Sequence, residues 1–327
     1  MQRNELSLSD QKIIDLIERF WGFTPYVIEY VEFGSTFAFN LQDRAGSKIF
    51  LKIYRKTAPA AHLYNGTEEL LQMSCKILDR LNKQHNMQQI PTIIKTNAGE
   101  YLHEFGGFMF VVLRHLEGIH PRYEPNELKS ADLAIILHNL HAISVTSFPE
   151  VAREKFVIDF AVGLEKWFEI ASDTCEEKIR PMLKKLVAEK EFLRKAIHVL
   201  KQLRKQFVNK PMDLMLTHGD AHHFNVLQTS KELYLIDWDD LKMAPRERDL
   251  WHYEVAPLMK DYMQLEPKFV LNHELCSFYS IQRFLEDLRI YIEEVTKTTE
   301  QTQINIEFFC NHWGWQVCDK QIRAFNS

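Results

Sequence analysis

Between residues 26 and 54 the chain sets three runs of β-forming residues one after another, "YVIEYVEF", "TFAFNLQD" and "SKIFLKIY", with only turn residues between them. The turns are "GS" at 34 and 35 and "DRAGS" at 43 to 47, so the three runs predict a small antiparallel meander, with Lys52 at the centre of its last strand. A helix is expected from about Gly66 to Lys83, where Leu71, Cys75, Leu78 and Leu81 return at helical spacing. "IPTIIKT" and "GFMFVVLRHLEG" then read as two more strands. From about Pro125 the pattern becomes helical: "NELKSADLAIILHNLHAI", charged segments over 159–208 broken by Pro181, and residues 270–323. Strands first and helices after define an α+β chain rather than an alternating βαβ one.

Length and composition narrow the function classes. The 327 residues, 46% hydrophobic and 26% charged, can bury a large core and are too apolar for disorder. A net charge of −5 offers no electrostatic argument for nucleic acid or an acidic membrane. No run approaches the roughly 20 apolar residues that cross a bilayer. The N-terminal "MQRNELSLSDQKIIDLIERFWGF" lacks the apolar core of a signal peptide and reads as an amphipathic helix capped by Ser9 or Asp10. Five cysteines, odd in number and without a CxxC pair, fit a reduced, cytoplasmic setting.

The chemistry is concentrated in "THGDAHHFNV", residues 217–226, and in "LYLIDWDD", which ends at Asp240. Asp220 and Asn225 lie five apart on a loop and can converge on one point. A carboxylate that takes a hydroxyl proton and an amide that ligates Mg²⁺ suit phosphoryl transfer. Asp237, after the apolar run "LYLI", would bring a second hard oxygen to that point, which suits Mg²⁺ with phosphates and water. Lys52 supplies the cation for nucleotide phosphates. His222 and His223 read as polar loop residues, and His138 and His141 as packed structural histidines. Asp239 faces the same way as Asp237 if the strand continues, so it is a candidate contact for a cationic substrate or a supporting residue of the site.

"HGDAHHFN", "LIDWDD" and "APRERDL" together resemble the signature of the aminoglycoside phosphotransferase family, within the protein-kinase-like small-molecule kinases. The form of the second and third motifs is most similar to its spectinomycin phosphotransferase branch. The order of strands, "FLKIY" lysine, helix, "VVLRHLEG" and "LHNLHAI" extends the resemblance over most of the chain, with the highest specificity from Leu216 to Leu250. It implies a protein-kinase-like bilobal fold: a small antiparallel-sheet N-lobe, residues 1–115, that binds nucleotide, and a mostly helical C-lobe, residues 116–327, with the catalytic loop and substrate pocket. It assigns Asp220 as the catalytic aspartate, Asn225 and Asp237 as Mg²⁺ ligands, and Lys52 as the phosphate contact. The backbone of Arg114, His115 and Leu116 would receive the adenine, His218 would brace the catalytic loop, and Asp249 would be structural.

The activity implied is ATP- or GTP-dependent, Mg²⁺-dependent phosphorylation of a small-molecule hydroxyl, with an aminoglycoside or aminocyclitol antibiotic as leading substrate and antibiotic resistance as the role. No nucleic acid, membrane or obligate protein partner is expected. A metabolic kinase of the same fold, acting on choline, homoserine or a sugar amine, would differ only in its pocket. A nucleotide-binding regulator without turnover is the reading from another class. It is opposed by the intact set Lys52, Asp220, Asn225 and Asp237. Two departures from the family pattern stand out: Gly34 is alone where a glycine-rich loop is usual, and the glutamate that should pair with Lys52 is not evident. Glu68 and Glu69 come early, and Ser74 occupies the better-fitting position.

Overall fold

The computed structural model describes residues 3–31, 36–56, 68–121, 128–170, 177–254, 256–295 and 302–325. In chain order the elements are α1 (Asp10–Trp21), β1 (Val27–Val31), β2 (Phe37–Gln42), β3 (Lys48–Arg55), α2 (Glu68–Gln84), β4 (Ile93–Ile94), β5 (His103–Phe105), β6 (Phe108–Arg114) and α3 (Ser130–His141). There follow α4 (Asp159–Ile170), α5 (Arg180–Ala188), α6 (Lys190–Phe207), β7 (Met215–Thr217), β8 (Val226–Gln228), β9 (Leu233–Leu235) and β10 (Lys242–Ala244). The chain continues with α7 (Glu247–Leu250), α8 (Pro257–Leu265), α9 (His273–Val295), α10 (Thr302–Asn311) and α11 (Gly314–Phe325). This is the expected α+β order. The turn at Gly34 and Ser35 lies outside the described residues.

Packing groups the chain into two compact units. The first joins Met1–Ala152, Met215–Met243 and Ala256–Pro267; the second joins Arg153–Leu214, Ala244–Val255 and Lys268–Ser327. These contact-based units have other bounds than the expected lobes, residues 1–115 and 116–327.

The first unit is built on the meander. Strands run in the order β1-β2-β3-β6-β4, with β5 also paired to β6, a short strand that the sequence pattern does not announce. Register pairs Ala38 with Lys52 and Lys52 with Val111, so Lys52 lies centrally in the sheet. Alternation then sorts β3 into two faces. Leu51 and Ile53 join Phe37, Phe39 and Phe110 in a core shared with Ile13, Leu16 and Ile17 of α1, while Lys52 and Tyr54 point the other way. Helix α1 starts where Ser9 Oγ accepts from the Lys12 N–H and stops at Gly22, whose φ of 66° a glycine adopts without a Cβ clash. Trp21 Nε1 donates to Ile94 O at 2.8 Å, tying the helix to β4. Elsewhere in this unit α3 packs on α8, with His141 Nδ1 2.7 Å from the Tyr262 hydroxyl.

Beyond β6 the chain crosses to the hairpin of β8 and β9 through Ile119, which bridges Gln228. Gly118 makes that crossing possible. Its φ is 149°, and a Cβ there would come within 3.2 Å of Gln228 N, Gln228 O and Leu227 Cβ. Gly118→Ala is therefore expected to cost about 1–3 kcal/mol of stability, read as a lower urea midpoint at unchanged slope.

The second unit is helical. Helix α9 contacts α4, α6, α10 and α11, and its Phe278, Ile281, Leu285 and Leu288 pack with Leu164, Leu193, Leu200, Phe207, Phe309 and Cys318. Pro181 sits in the first turn of α5, where its missing N–H has no helical partner to lose. No helix among the described residues is long and apolar enough to cross a membrane.

Candidate active site

Strand β7 leads into the loop that holds His218, Asp220 and Asn225. At its exit His218 is fully buried, edge-on to the Trp238 ring, with ring centroids 4.8 Å apart. Its Nδ1 accepts from the Asp220 N–H at 3.2 Å, so the ring proton sits on Nε2, where Ile236 O accepts at 3.0 Å. One imidazole thus ties the loop to the segment that leads from β9 into Asp237.

Asp220 and Asn225 converge as their spacing suggests. Asn225 Nδ2 donates to Asp220 Oδ2 at 2.9 Å and to Asp220 O at 2.7 Å. With its nitrogen so committed, the amide presents its oxygen as the atom a hard cation would take. His222 Nε2 lies 3.4 Å from Asp220 Oδ2. Burial, followed by the charge of His222, pushes His223 down to about 4, which keeps it neutral.

The β8–β9 hairpin brings Asp237 to the same place. Val226 pairs with Leu235, and the Ile236 N–H bonds Asn225 O at 2.8 Å, which sets Asp237 one residue beyond the Asn225 backbone. Asp237 holds a φ of 66°, a left-handed conformation rare outside glycine and tolerated best by Asp and Asn. Its Oδ1 accepts from Lys52 Nζ at 2.6 Å. Burial raises the Asp237 carboxyl, but the charge and hydrogen bond of Lys52 outweigh it and hold the group below the usual carboxylate range. Burial lowers Lys52 in turn, and Asp237 with Asp239 more than restore it, so the ammonium stays charged. Asn225, just before β8, and Asp237, two residues past β9, are hard oxygen donors at the same end of one hairpin, and they fit a Mg²⁺ ion that takes few protein ligands and completes its shell with phosphate and water.

Asp239 does not stand out as a contact for an incoming cation, because Lys52 already occupies it. Lys52 Nζ donates to its Oδ2 at 2.8 Å, and the Tyr54 hydroxyl lies 2.9 Å from the same oxygen. Tyr54 was not among the expected residues. The signal was present: it follows Lys52 by two positions on one strand and so shares its face.

The remaining candidates are less concentrated. Arg114 ends β6 with its N–H bonded to Thr92 O at 2.8 Å, so that donor is taken. His115 Nδ1 lies 3.7 Å from Glu117, which Lys48 also holds at 2.9 Å. Asp249 is fully buried in α7 of the second unit.

This loop-and-hairpin geometry accompanies a family signature. Residues 28–257 match the model of the phosphotransferase enzyme family, APH. The chain belongs to that family. No curated protein matches it. Solved structures of similar fold include spectinomycin phosphotransferase APH(9)-Ia in complex with ADP and spectinomycin, at 15% identity over 97% of this chain and 99% of that one, with a TM-score of 0.79. Amicoumacin kinase hAmiN, in complex with AMP-PNP, Ca²⁺ and Ami, aligns at 12% identity over 99% and 96%, with a TM-score of 0.61. Macrolide 2'-phosphotransferase MphH from Brachybacterium faecium aligns at 12% identity over 92% and 97%, with a TM-score of 0.55. The APH chain is thus a phosphotransferase of the protein-kinase-like fold.

Proposed function

We propose that this phosphotransferase uses ATP or GTP with Mg²⁺ to phosphorylate a hydroxyl of a small molecule, an aminoglycoside or aminocyclitol before others, in the cytoplasm. The observation that carries the reading is the convergence of one acid–amide pair, Asp220 and Asn225, with a lysine–carboxylate pair, Lys52 and Asp237, through the Ile236–Asn225 bond. A pair that handles a hydroxyl and a pair that handles phosphate charge are what in-line phosphoryl transfer requires, since positioning and charge neutralisation do most of the work. The solved structures bound to ADP with spectinomycin, and to AMP-PNP with Ca²⁺ and Ami, support nucleotide as donor and a small molecule such as an antibiotic as acceptor.

In this reading Asp220 accepts the hydrogen bond of the acceptor hydroxyl and takes its proton as the oxygen bonds the terminal phosphorus. The bond to the bridging phosphate oxygen breaks, and nucleoside diphosphate leaves. Lys52 Nζ binds non-bridging phosphate oxygens, and Asn225 Oδ1 with an Asp237 oxygen would hold the Mg²⁺. Bound there, the ion would offset charge on the phosphates. His115 and Leu116 would meet the adenine, and Asp249 would be structural. Residues 1–115 would serve the nucleotide and 116–327 the catalytic loop and substrate.

The test is nucleoside diphosphate release with each nucleotide and a panel of spectinomycin, aminoglycosides, choline, homoserine and sugar amines. Release stimulated by the antibiotics, and lost on chelation of Mg²⁺, is the expected result. Stimulation by choline or homoserine alone would move the protein to the metabolic kinases. Nucleotide binding without turnover on any acceptor would favour a regulator.

A further inference from the structure

We propose that Asp239, with Tyr54, is the positioning pair that holds Lys52 in place for the nucleotide, in place of a glutamate on helix α2. The inference deepens the phosphotransferase reading and rests on it for its functional consequence.

Helix α2 has three acids, and each is accounted for elsewhere. Glu68 bonds Lys56 at 3.3 Å and Gln72 at 3.2 Å. Glu69 is exposed. Asp79 takes Lys83 at 2.8 Å, Lys95 at 3.4 Å and the Tyr101 hydroxyl at 3.1 Å. At the position where a glutamate would fit best, Ser74 is buried and its Oγ makes no hydrogen bond. Helix α2 therefore gives Lys52 no anion.

Asp237 and Asp239 both bond the Lys52 ammonium, but they are not equivalent. Asp237 keeps 36% of its side chain exposed, against 14% for Asp239. The more open carboxylate is the one able to turn toward a cation. The enclosed one is locked from a second side, because the Tyr54 hydroxyl reaches both of its oxygens, at 3.1 and 2.9 Å. The Tyr54 ring also lies 5.1 Å from Lys52 Nζ, which favours the ammonium. When Asp237 is recruited to metal, an ammonium held by it alone would be left without a counter-ion. Asp239 retains it. The lysine is then oriented by its own strand and by the segment after Asp237, and a shift of helix α2 would leave the ion pair intact.

The test is a double-mutant cycle of Lys52→Met and Asp239→Asn in the full chain, read by kcat and by thermal melting, with Tyr54→Phe and Asp239→Glu beside it. Each single substitution is expected to lower kcat by about 100-fold, and the double variant by no more than the worse single. Tyr54→Phe should lower kcat by about 5–10-fold, and Asp239→Glu, which keeps the charge, should retain more activity than Asp239→Asn. The Mg²⁺ concentration for half-maximal rate should be unchanged in Asp239→Asn. In melting, Lys52→Met should lower Tm more when Asp239 is present than in the Asp239→Asn background, because it leaves two neighbouring carboxylates without their cation instead of one. Losses that multiply, or a loss in Asp239→Asn reversed by added Mg²⁺, would overturn the pairing and make Asp239 an independent group or a metal ligand. An active wild type without coupling in melting overturns this inference alone. Coupled melting in a wild type that turns over no nucleotide overturns the phosphotransferase reading, and the positioning role with it.

Discussion

Asp220→Ala is expected to lower kcat for phosphoryl transfer by about 10³–10⁴-fold while leaving the KM for nucleotide within about threefold. That loss corresponds to about 4–5.5 kcal/mol on the barrier. It is large because, in the proposed mechanism, this carboxylate takes the acceptor's proton as the oxygen attacks. The fold should survive the change. The loop is tied mainly through backbone atoms of residue 220: its N–H to His218 Nδ1, and its carbonyl to Asn225 Nδ2. The 2.9 Å bond from Asn225 Nδ2 to Oδ2 and the 3.4 Å approach of His222 Nε2 to the same oxygen go with the side chain. Steady-state diphosphate release, paired with a melting curve, separates the two effects. An unchanged melt with kcat near zero is the expected pair of results, and normal turnover would remove Asp220 from the chemistry.

The loop was legible in the sequence because its geometry is local. His218, Asp220 and Asn225 lie within eight residues, so turn residues between two apolar runs are enough to place them together. The strands of the meander were legible for a similar reason, since a period of two sorts Lys52 and Tyr54 from Leu51 and Ile53 without reference to anything distant. The partner of Lys52 was not legible. It pairs with residues 185 and 187 positions away, and no local pattern reports on such a contact. The expectation of a helical glutamate left Glu68, Glu69 and Ser74 open, and the answer lay on another element. For Asp239 the sequence leaves open a contact for a cationic substrate and a supporting role, because only its alternation with Asp237 is visible there. The packed units could not be read either, because the first gathers three separate segments of chain. Strand β5 is three residues long, too short for periodicity to register.

Asp237→Asn is the second substitution expected to act strongly, and its signature should differ from that of Asp220→Ala. Asparagine keeps the tolerance for the left-handed conformation that this position needs, so the 66° φ adds no new strain and the effect reads on chemistry rather than folding. What is lost is one negative charge and one hard anionic ligand. The Mg²⁺ concentration for half-maximal rate is expected to rise by at least about 10-fold, and kcat to fall by about 100-fold or more even at saturating metal. In the proposed site Mg²⁺ would arrive with the nucleotide phosphates, so the KM for nucleotide should rise together with the metal requirement, which Asp220→Ala leaves alone. Stability should hold: Lys52 keeps Asp239 at 2.8 Å, so no buried ammonium is left unpaired. Titration of rate against Mg²⁺ at fixed nucleotide decides the matter. An unchanged metal requirement would take Asp237 out of the metal site and leave it as a counter-ion of Lys52, whereas a coupled rise in both constants assigns it to the metal and leaves the lysine to Asp239.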